Sequence, residues 1–128
     1  MRALLDTNSF LWFISGSSRL SSDACDFISD MDNDLLISIA SLWETAIKAG
    51  IGKLELLRPF EQLIPDEIRK HEINILPISL NHLYEMMKLE FHHRDPFDRI
   101  IIAQGIAEDL PVITSDGIFR KYSIEIIW

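Results

Sequence analysis

The sequence predicts an α/β fold of three layers, with helices on both faces of a central, mostly parallel sheet of four to five strands. Two observations carry this. Short apolar runs, "RALL" at 2–5, "LLIS" at 35–38, "INILPIS" at 73–79, "PVIT" at 111–114 and "IEIIW" at 124–128, alternate with stretches whose apolar residues recur at helical spacing. The runs are continuous rather than apolar at every second position, as strands buried on both faces require, and helical crossovers between parallel strands bury both faces. No internal repeat, linker or low-complexity stretch interrupts the alternation, so one domain over residues 1–128 is expected.

Each element has a local reason. "RALL" gives way to the polar cluster "DTNS", the exit of a buried strand, and "SFLWFI" opens a first helical stretch. "SSDACDFISDM" (21–31) starts on Ser and Asp and sets Ala24, Phe27, Ile28 and Met31 on one helical face. After the strand at 35–38, "SLWETAIKAG" (41–50) reads as a helix capped by Ser41 and stopped by Gly50. "PFEQLIPDEIRKHE" (59–72) reads as a helix broken or restarted at Pro65, because proline has no N–H to donate. The strand at 73–79 leads into the helix "LNHLYEMMKLE". A further helix runs from "DPFDRIIIAQ" to about Asp109. There Asp95 fits the N-cap, Pro96 the first helical position and Asp98 the third, where an acid resembles a capping box. "GIFRKY" is a short helical turn before the last strand.

Composition narrows the class. The chain has 128 residues, 48% hydrophobic and 25% charged, enough for one real core and too few for two. No apolar run approaches the ~18 residues that span a bilayer, and "MRALLDTN" turns polar too soon for a secretory signal. Cys25 is the only cysteine, which excludes an internal disulfide and a cysteine-based zinc site and fits a reducing cytoplasm. The formal net charge is −8, from 20 acidic and 12 basic residues. Taken alone that opposes nucleic acid as a partner, because phosphate binding favours basic faces. The objection weakens if several of the acids hold a cation.

Four carboxylates are placed to do so. In a parallel α/β sheet, ligands bind beyond the carboxyl ends of the strands. Asp6 follows "RALL" and Asp116 follows "PVITS", while Glu44 and Asp98 lie in helices that follow strands. Each has a bland explanation. Asp6 and Asp116 suit turns and caps, Glu44 stands four residues before Lys48 as in a surface ion pair, and Asp98 completes a capping box. None of those explanations predicts convergence, whereas the fold does. An unneutralised carboxylate cluster is costly, and oxygen ligands suit Mg²⁺ or Mn²⁺ rather than zinc.

The motifs carry a resemblance as well. "LLDTNSFLW", "SIASLWETAIKAGIGKLEL", "HHRDPFDRIIIAQ", "PVITSD" and "YSIEIIW" together resemble the PIN-domain proteins, specifically the VapC-type ribonuclease toxins of toxin–antitoxin pairs. The resemblance covers essentially the whole chain. It implies a PIN-like α/β/α fold and places the family's four catalytic, metal-binding acids on Asp6, Glu44, Asp98 and Asp116, with Asn8 and Ser115 as polar support. It further implies Mg²⁺- or Mn²⁺-dependent cleavage of RNA to a 5′-phosphate and a 3′-hydroxyl, a cognate antitoxin, and a homodimer. Phe10, Trp12 and Phe13 are candidate antitoxin contacts, with core packing the other use of that stretch, and Arg94 and Arg99 are candidate contacts to RNA phosphates, with surface solubility and ion pairing as the alternative. His92 and His93 are read as loop residues rather than ligands. Gly105 stands where the family would have Ala, an expected softening of the helix.

Rival acidic-pocket folds fit less well. A haloacid-dehalogenase-like phosphatase needs a second Asp two after the first, and position 8 is Asn. A response-regulator receiver needs an Asp ending its middle strand, and "INILPIS" has none. The alternative of another class is a non-catalytic, metal-stabilised binding or dimerisation module of the same fold.

Overall fold

The computed structural model describes all 128 residues. In chain order the elements are β1 (Arg2–Leu5), α1 (Thr7–Ser15), α2 (Ser22–Ser29), β2 (Asp34–Ser38), α3 (Ile39–Gly50), α4 (Phe60–Lys70), β3 (Asn74–Leu76), α5 (Leu80–Lys88), α6 (Pro96–Ala107), β4 (Val112–Ile113), a 3₁₀ helix (Gly117–Lys121) and β5 (Ile126–Ile127). The five strands form one sheet in the order β3-β2-β1-β4-β5, and every pairing is parallel.

The continuous apolar runs are explained by what lies on each face. Successive side chains of a strand point to opposite sides. Ala3, Leu5, Leu35 and Ile37 accordingly join Phe10 of α1 and Ile64 of α4 in one core. Leu4, Leu36 and Val112 face the other way and meet Ile101 and Ile102 of α6 with Phe119. Ala40 of α3 packs on Ile100 and Ala103 of α6 in a smaller cluster. Each fully buried aliphatic side chain contributes about 1.5–3 kcal/mol, so these two faces hold the three layers together.

Several boundaries differ from the sequence expectation for local reasons. α3 starts at Ile39, not after Ser41: Ser38, the last residue of β2, accepts from the Ala40 N–H at 3.1 Å, so strand passes into helix without a loop. α4 is continuous through Pro65, which sits in its second turn and removes a single backbone bond there. α2 ends at Ser29, leaving Met31 exposed beyond it. β3 is only three residues long and stops before Pro77, as an edge strand can. Gly105 does not soften α6. A Cβ there would lie 3.1 Å from a Val112 methyl and 3.2 Å from the Leu110 carbonyl, so the glycine lets α6 approach β4 closely. No helix is long and apolar enough to cross a membrane.

Candidate active site

The site lies where the sheet order reverses, beyond the carboxyl ends of β1 and β4. The register sets Leu5 beside Ile113, so the next residues, Asp6 and Thr114, are neighbours. Asp6 caps α1: its Oδ1 accepts from the Ser9 N–H at 2.8 Å, and its Oδ2 accepts from Thr114 Oγ1 at 2.7 Å. Burial raises its pKa, against the pull of the Ser9 and Thr114 hydrogen bonds, and the Asp116 charge adds to the rise. Thr114 Oγ1 also accepts from the Asp116 N–H at 3.0 Å, which ties the two acids to one hydroxyl. Asp116 caps the 3₁₀ helix through Oδ1, leaving Oδ2 toward the cleft.

α6 supplies the third acid, and its first turn shows why two aspartates stand together. Asp95 is the N-cap, accepting from the N–H groups of Phe97 at 2.8 Å and Asp98 at 3.2 Å. In a capping box the Asp98 carboxylate would accept from the Asp95 N–H. Here that N–H goes to His93 Nδ1 at 3.2 Å, and Asp98 is free to face the cleft. Burial, then the neighbouring Asp95 charge, push the Asp98 pKa up to about 7; His93 opposes the rise, and Asp6 and Glu44 add to it.

Glu44 reaches the cleft from α3 and is buried, with 6% of its surface exposed. The expected pair with Lys48 forms at 2.7 Å, but it closes over an interior carboxylate rather than lying on the surface. Glu44 Oε1 accepts from Thr7 Oγ1 at 2.7 Å, and Ser41 Oγ lies 3.0 Å from that hydroxyl. Lys48 has a raised pKa, chiefly through the Glu44 hydrogen bond and against its partial burial, with the Asp95 and Asp98 charges adding to it.

All four expected acids, with Asn8 and Ser115, line one cavity of about 210 Å³ that has no hydrophobic residue on its wall. Thr7, Lys48 and Asp95 complete it. His93 lies in the loop before α6, as expected, but it reaches the site from there: its Nε2 lies 2.9 Å from Asp116 Oδ2 and 3.1 Å from Asp98 Oδ2. One ligand atom from each of His93, Asp98 and Asp116 falls within 4.8 Å of the others, a spacing able to hold a divalent cation. Crowded carboxylates, one of them with its pKa raised by burial and then by neighbouring charge, are the environment a hard cation relieves, so the residues fit one.

Two further expectations divide residue by residue. Arg99 is buried, and both of its terminal guanidinium nitrogens are engaged by the carbonyls of Glu90, His93, Met86 and Leu89, which gives it a structural role at the entry to α6. Arg94 is exposed and remains free to contact RNA. Phe10 is fully buried in the core, and Phe13 packs on the His71 ring at 4.5 Å. Trp12 lines an open groove of about 300 Å³ beside Leu11, Arg19 and Leu57. Thr7 and Thr114 were missed from sequence, although each lies within two residues of an acid that was singled out; Lys48 and His93 were named there, but as a surface partner and a loop residue.

Residues 3–125 match the PIN domain family. A stretch of 70 residues, 52% of the chain, is 34% identical to Ribonuclease VapC16 of Mycobacterium tuberculosis and covers 48% of that protein. Over 121 residues, 90% of the chain, identity is 28% to a 1-deoxy-D-xylulose 5-phosphate reductoisomerase of Chlorobium phaeobacteroides, of which the match covers 28%. The chain thus spans less than half the length of these curated relatives. Among solved structures, VapBC2 from Rickettsia felis bound to a DNA fragment from their promoter superposes at a TM-score of 0.72, covering 98% of this chain and 97% of that one at 16% identity. A toxin–antitoxin complex from Klebsiella pneumoniae gives 0.61, with 89% and 86% covered at 22% identity. At those identities the likeness to the solved structures is one of fold. The family match over residues 3–125, the parallel three-layer architecture and the His/Asp cluster at its switch point agree: the chain belongs to the PIN-domain family and closely resembles its VapC-type toxins.

Proposed function

We propose that the protein is a metal-dependent endoribonuclease, the toxin of a toxin–antitoxin pair, which hydrolyses RNA phosphodiester bonds in the cleft of Asp6, Glu44, Asp98 and Asp116. The observation that carries this reading is the convergence of those four acids, from four separate elements, on one cavity without a hydrophobic wall. Asp6, Asp98 and Asp116 are the residues to hold Mg²⁺ or Mn²⁺, with Glu44 either completing the ligand set or orienting the attacking water. A bound divalent cation lowers the pKa of water and offsets charge on the phosphate and the leaving oxygen. Thr7 and Thr114 fix Glu44 and Asp6 in place, and Asn8 and Ser115 give polar support at the wall. Lys48 sets the one positive charge at a wall of five acids and three neutral polar residues, where a phosphate enters, and exposed Arg94 is a second phosphate contact beside α6.

The partners follow the same reading. The similar solved structures include a toxin–antitoxin complex, which supports a cognate antitoxin here. Its docking path is the Trp12 groove, since Asn8 lines both that groove and the acidic cavity. Exposed apolar residues on α3 (Ile39, Trp43) and α5 (Leu80, Tyr84, Met87) support a homodimer. The single, exposed cysteine supports a reducing cytoplasm.

Incubating end-labelled single-stranded RNA with the protein in EDTA, then in Mg²⁺ or Mn²⁺, tests the activity. Cleavage confined to the metal lanes, leaving 5′-phosphate and 3′-hydroxyl ends, is expected. Cleavage undiminished by EDTA, or none with either metal, contradicts it. The non-catalytic binding module predicts metal-dependent stability with no cleavage in any lane.

A further inference from the structure

The segment before α6 is clamped to a degree that its loop character does not require. Arg99 reaches back from α6 and donates to the Glu90 and His93 carbonyls at 3.1 and 3.2 Å and to those of Met86 and Leu89 at 3.4 Å. Its guanidinium also lies 4.1 Å over the Phe91 ring. Tyr122 adds a second tie, its hydroxyl donating to the Glu90 carbonyl at 2.6 Å and accepting from the His93 N–H at 2.8 Å. The effect of these bonds is to fix one imidazole at the cleft.

The hydrogen bonds of that ring determine which nitrogen carries its proton. Nδ1 accepts from the Asp95 N–H at 3.2 Å and so presents a lone pair. The ring hydrogen is therefore on Nε2, which faces Asp116 Oδ2 at 2.9 Å and Asp98 Oδ2 at 3.1 Å. A metal bond through Nε2 needs the opposite tautomer. That tautomer would aim an Nδ1–H at the Asp95 N–H and leave the cap amide of α6 without its acceptor.

On the reading of the cleft as a cation site, we propose that His93 is a positioning residue rather than a ligand. As an Nε2–H donor to Asp116 at 2.9 Å it anchors the loop after β4 beside Asp98 of α6, whose Oδ2 lies 3.1 Å from the same nitrogen, and the carboxylates alone bind the cation. The consequence is an oxygen-only ligand set. A nitrogen donor favours later first-row metals over Mg²⁺, whereas carboxylate oxygens accept Mg²⁺ and Mn²⁺ alike.

Two measurements on the full chain test this. Long-range ¹H–¹⁵N spectra at pH 8, without metal and with saturating Mg²⁺, read the His93 tautomer directly. The expected result is a protonated Nε2 and an unprotonated Nδ1 in both states; a proton on Nδ1, or loss of the Nε2 proton with Mg²⁺, overturns the proposal. Titrations of wild type and His93→Ala with Mg²⁺ and with Mn²⁺ give the second readout. Loss of a positioning residue weakens both cations together, by about 10- to 100-fold at most, and keeps their affinity ratio within about twofold of wild type. A ratio moved about tenfold toward Mg²⁺ means a lost nitrogen ligand and overturns the proposal. If neither cation binds wild type, the cation reading itself fails, while the metal-free spectrum still decides the tautomer.

Discussion

Asp95 and Asp98 are three residues apart in one helical turn and do different work. Asp95 satisfies two amide donors of α6, whereas the Asp98 side chain makes no cap bond and faces His93 across the cleft. Asp98→Asn is expected to abolish cleavage and leave the fold intact. Asp95→Asn should keep most of the activity and lose only a few tenths of a kcal/mol, because Asn caps well. RNA cleavage and melting of both variants check this, and a dead Asp95→Asn beside an active Asp98→Asn would reverse the assignment. The raised Asp98 pKa gives a second prediction. In the metal-free protein its folded pKa of about 7 stands above the unfolded value of 3.8, so the folded state binds more protons between those values. That contribution to stability is full below pH 3.8 and is lost as pH rises to about 7. Melting in EDTA should show wild type losing stability relative to Asp98→Asn across this window, and parallel curves would contradict the shift. Asp6, Asp98 and Asp116 stood out at strand ends and a helix start, whereas Glu44, in the second turn of α3, was carried by the motif around it. The roles of His93 and Thr114 were not legible, since their partners Asp116 and Asp6 lie 23 and 108 residues away in the chain.

At the level of elements, type was legible and the ends were not. Helical spacing and apolar runs located every helix and strand, because both periods are local. Where α3 begins depends on Ser38 being at once the last strand residue and the cap, and Ser41 offered an equally good cap signal. Pro65 looked like a break because its cost is local, while the packing of Leu63 and Ile64 that carries α4 through it is not. Arg99 shows the same limit: beside Asp98 in sequence it read as a phosphate contact, yet it clamps the segment entering α6. Arg99→Met should leave several of its four carbonyl acceptors unpaired, at about 1–3 kcal/mol for each one kept from water. A loss of about 3 kcal/mol or more is expected, against about 0.5 kcal/mol or less for exposed Arg94→Ala. Denaturant melts of the two variants decide it, and equal small losses would show that the clamp carries no stability.

For the whole molecule, the sheet that makes the fold stable also creates the site's electrostatic cost. Parallel strands end together, and with β1 central its exit meets that of β4 at the switch point, bringing Asp6 and Asp116 beside the helices that carry Glu44 and Asp98. A chain of net charge −8 thereby concentrates acids where they repel each other most. A cation that binds only the folded state relieves this, adding roughly 2.7 kcal/mol when present at ~100 times its dissociation constant. The measurement that tests the shared cation site most directly is the melting temperature of wild type and Asp116→Asn, each in EDTA and in saturating Mn²⁺. Asp116→Asn is expected to melt no lower than wild type in EDTA and to lose most of the Mn²⁺-induced rise. A rise as large in Asp116→Asn as in wild type would contradict it.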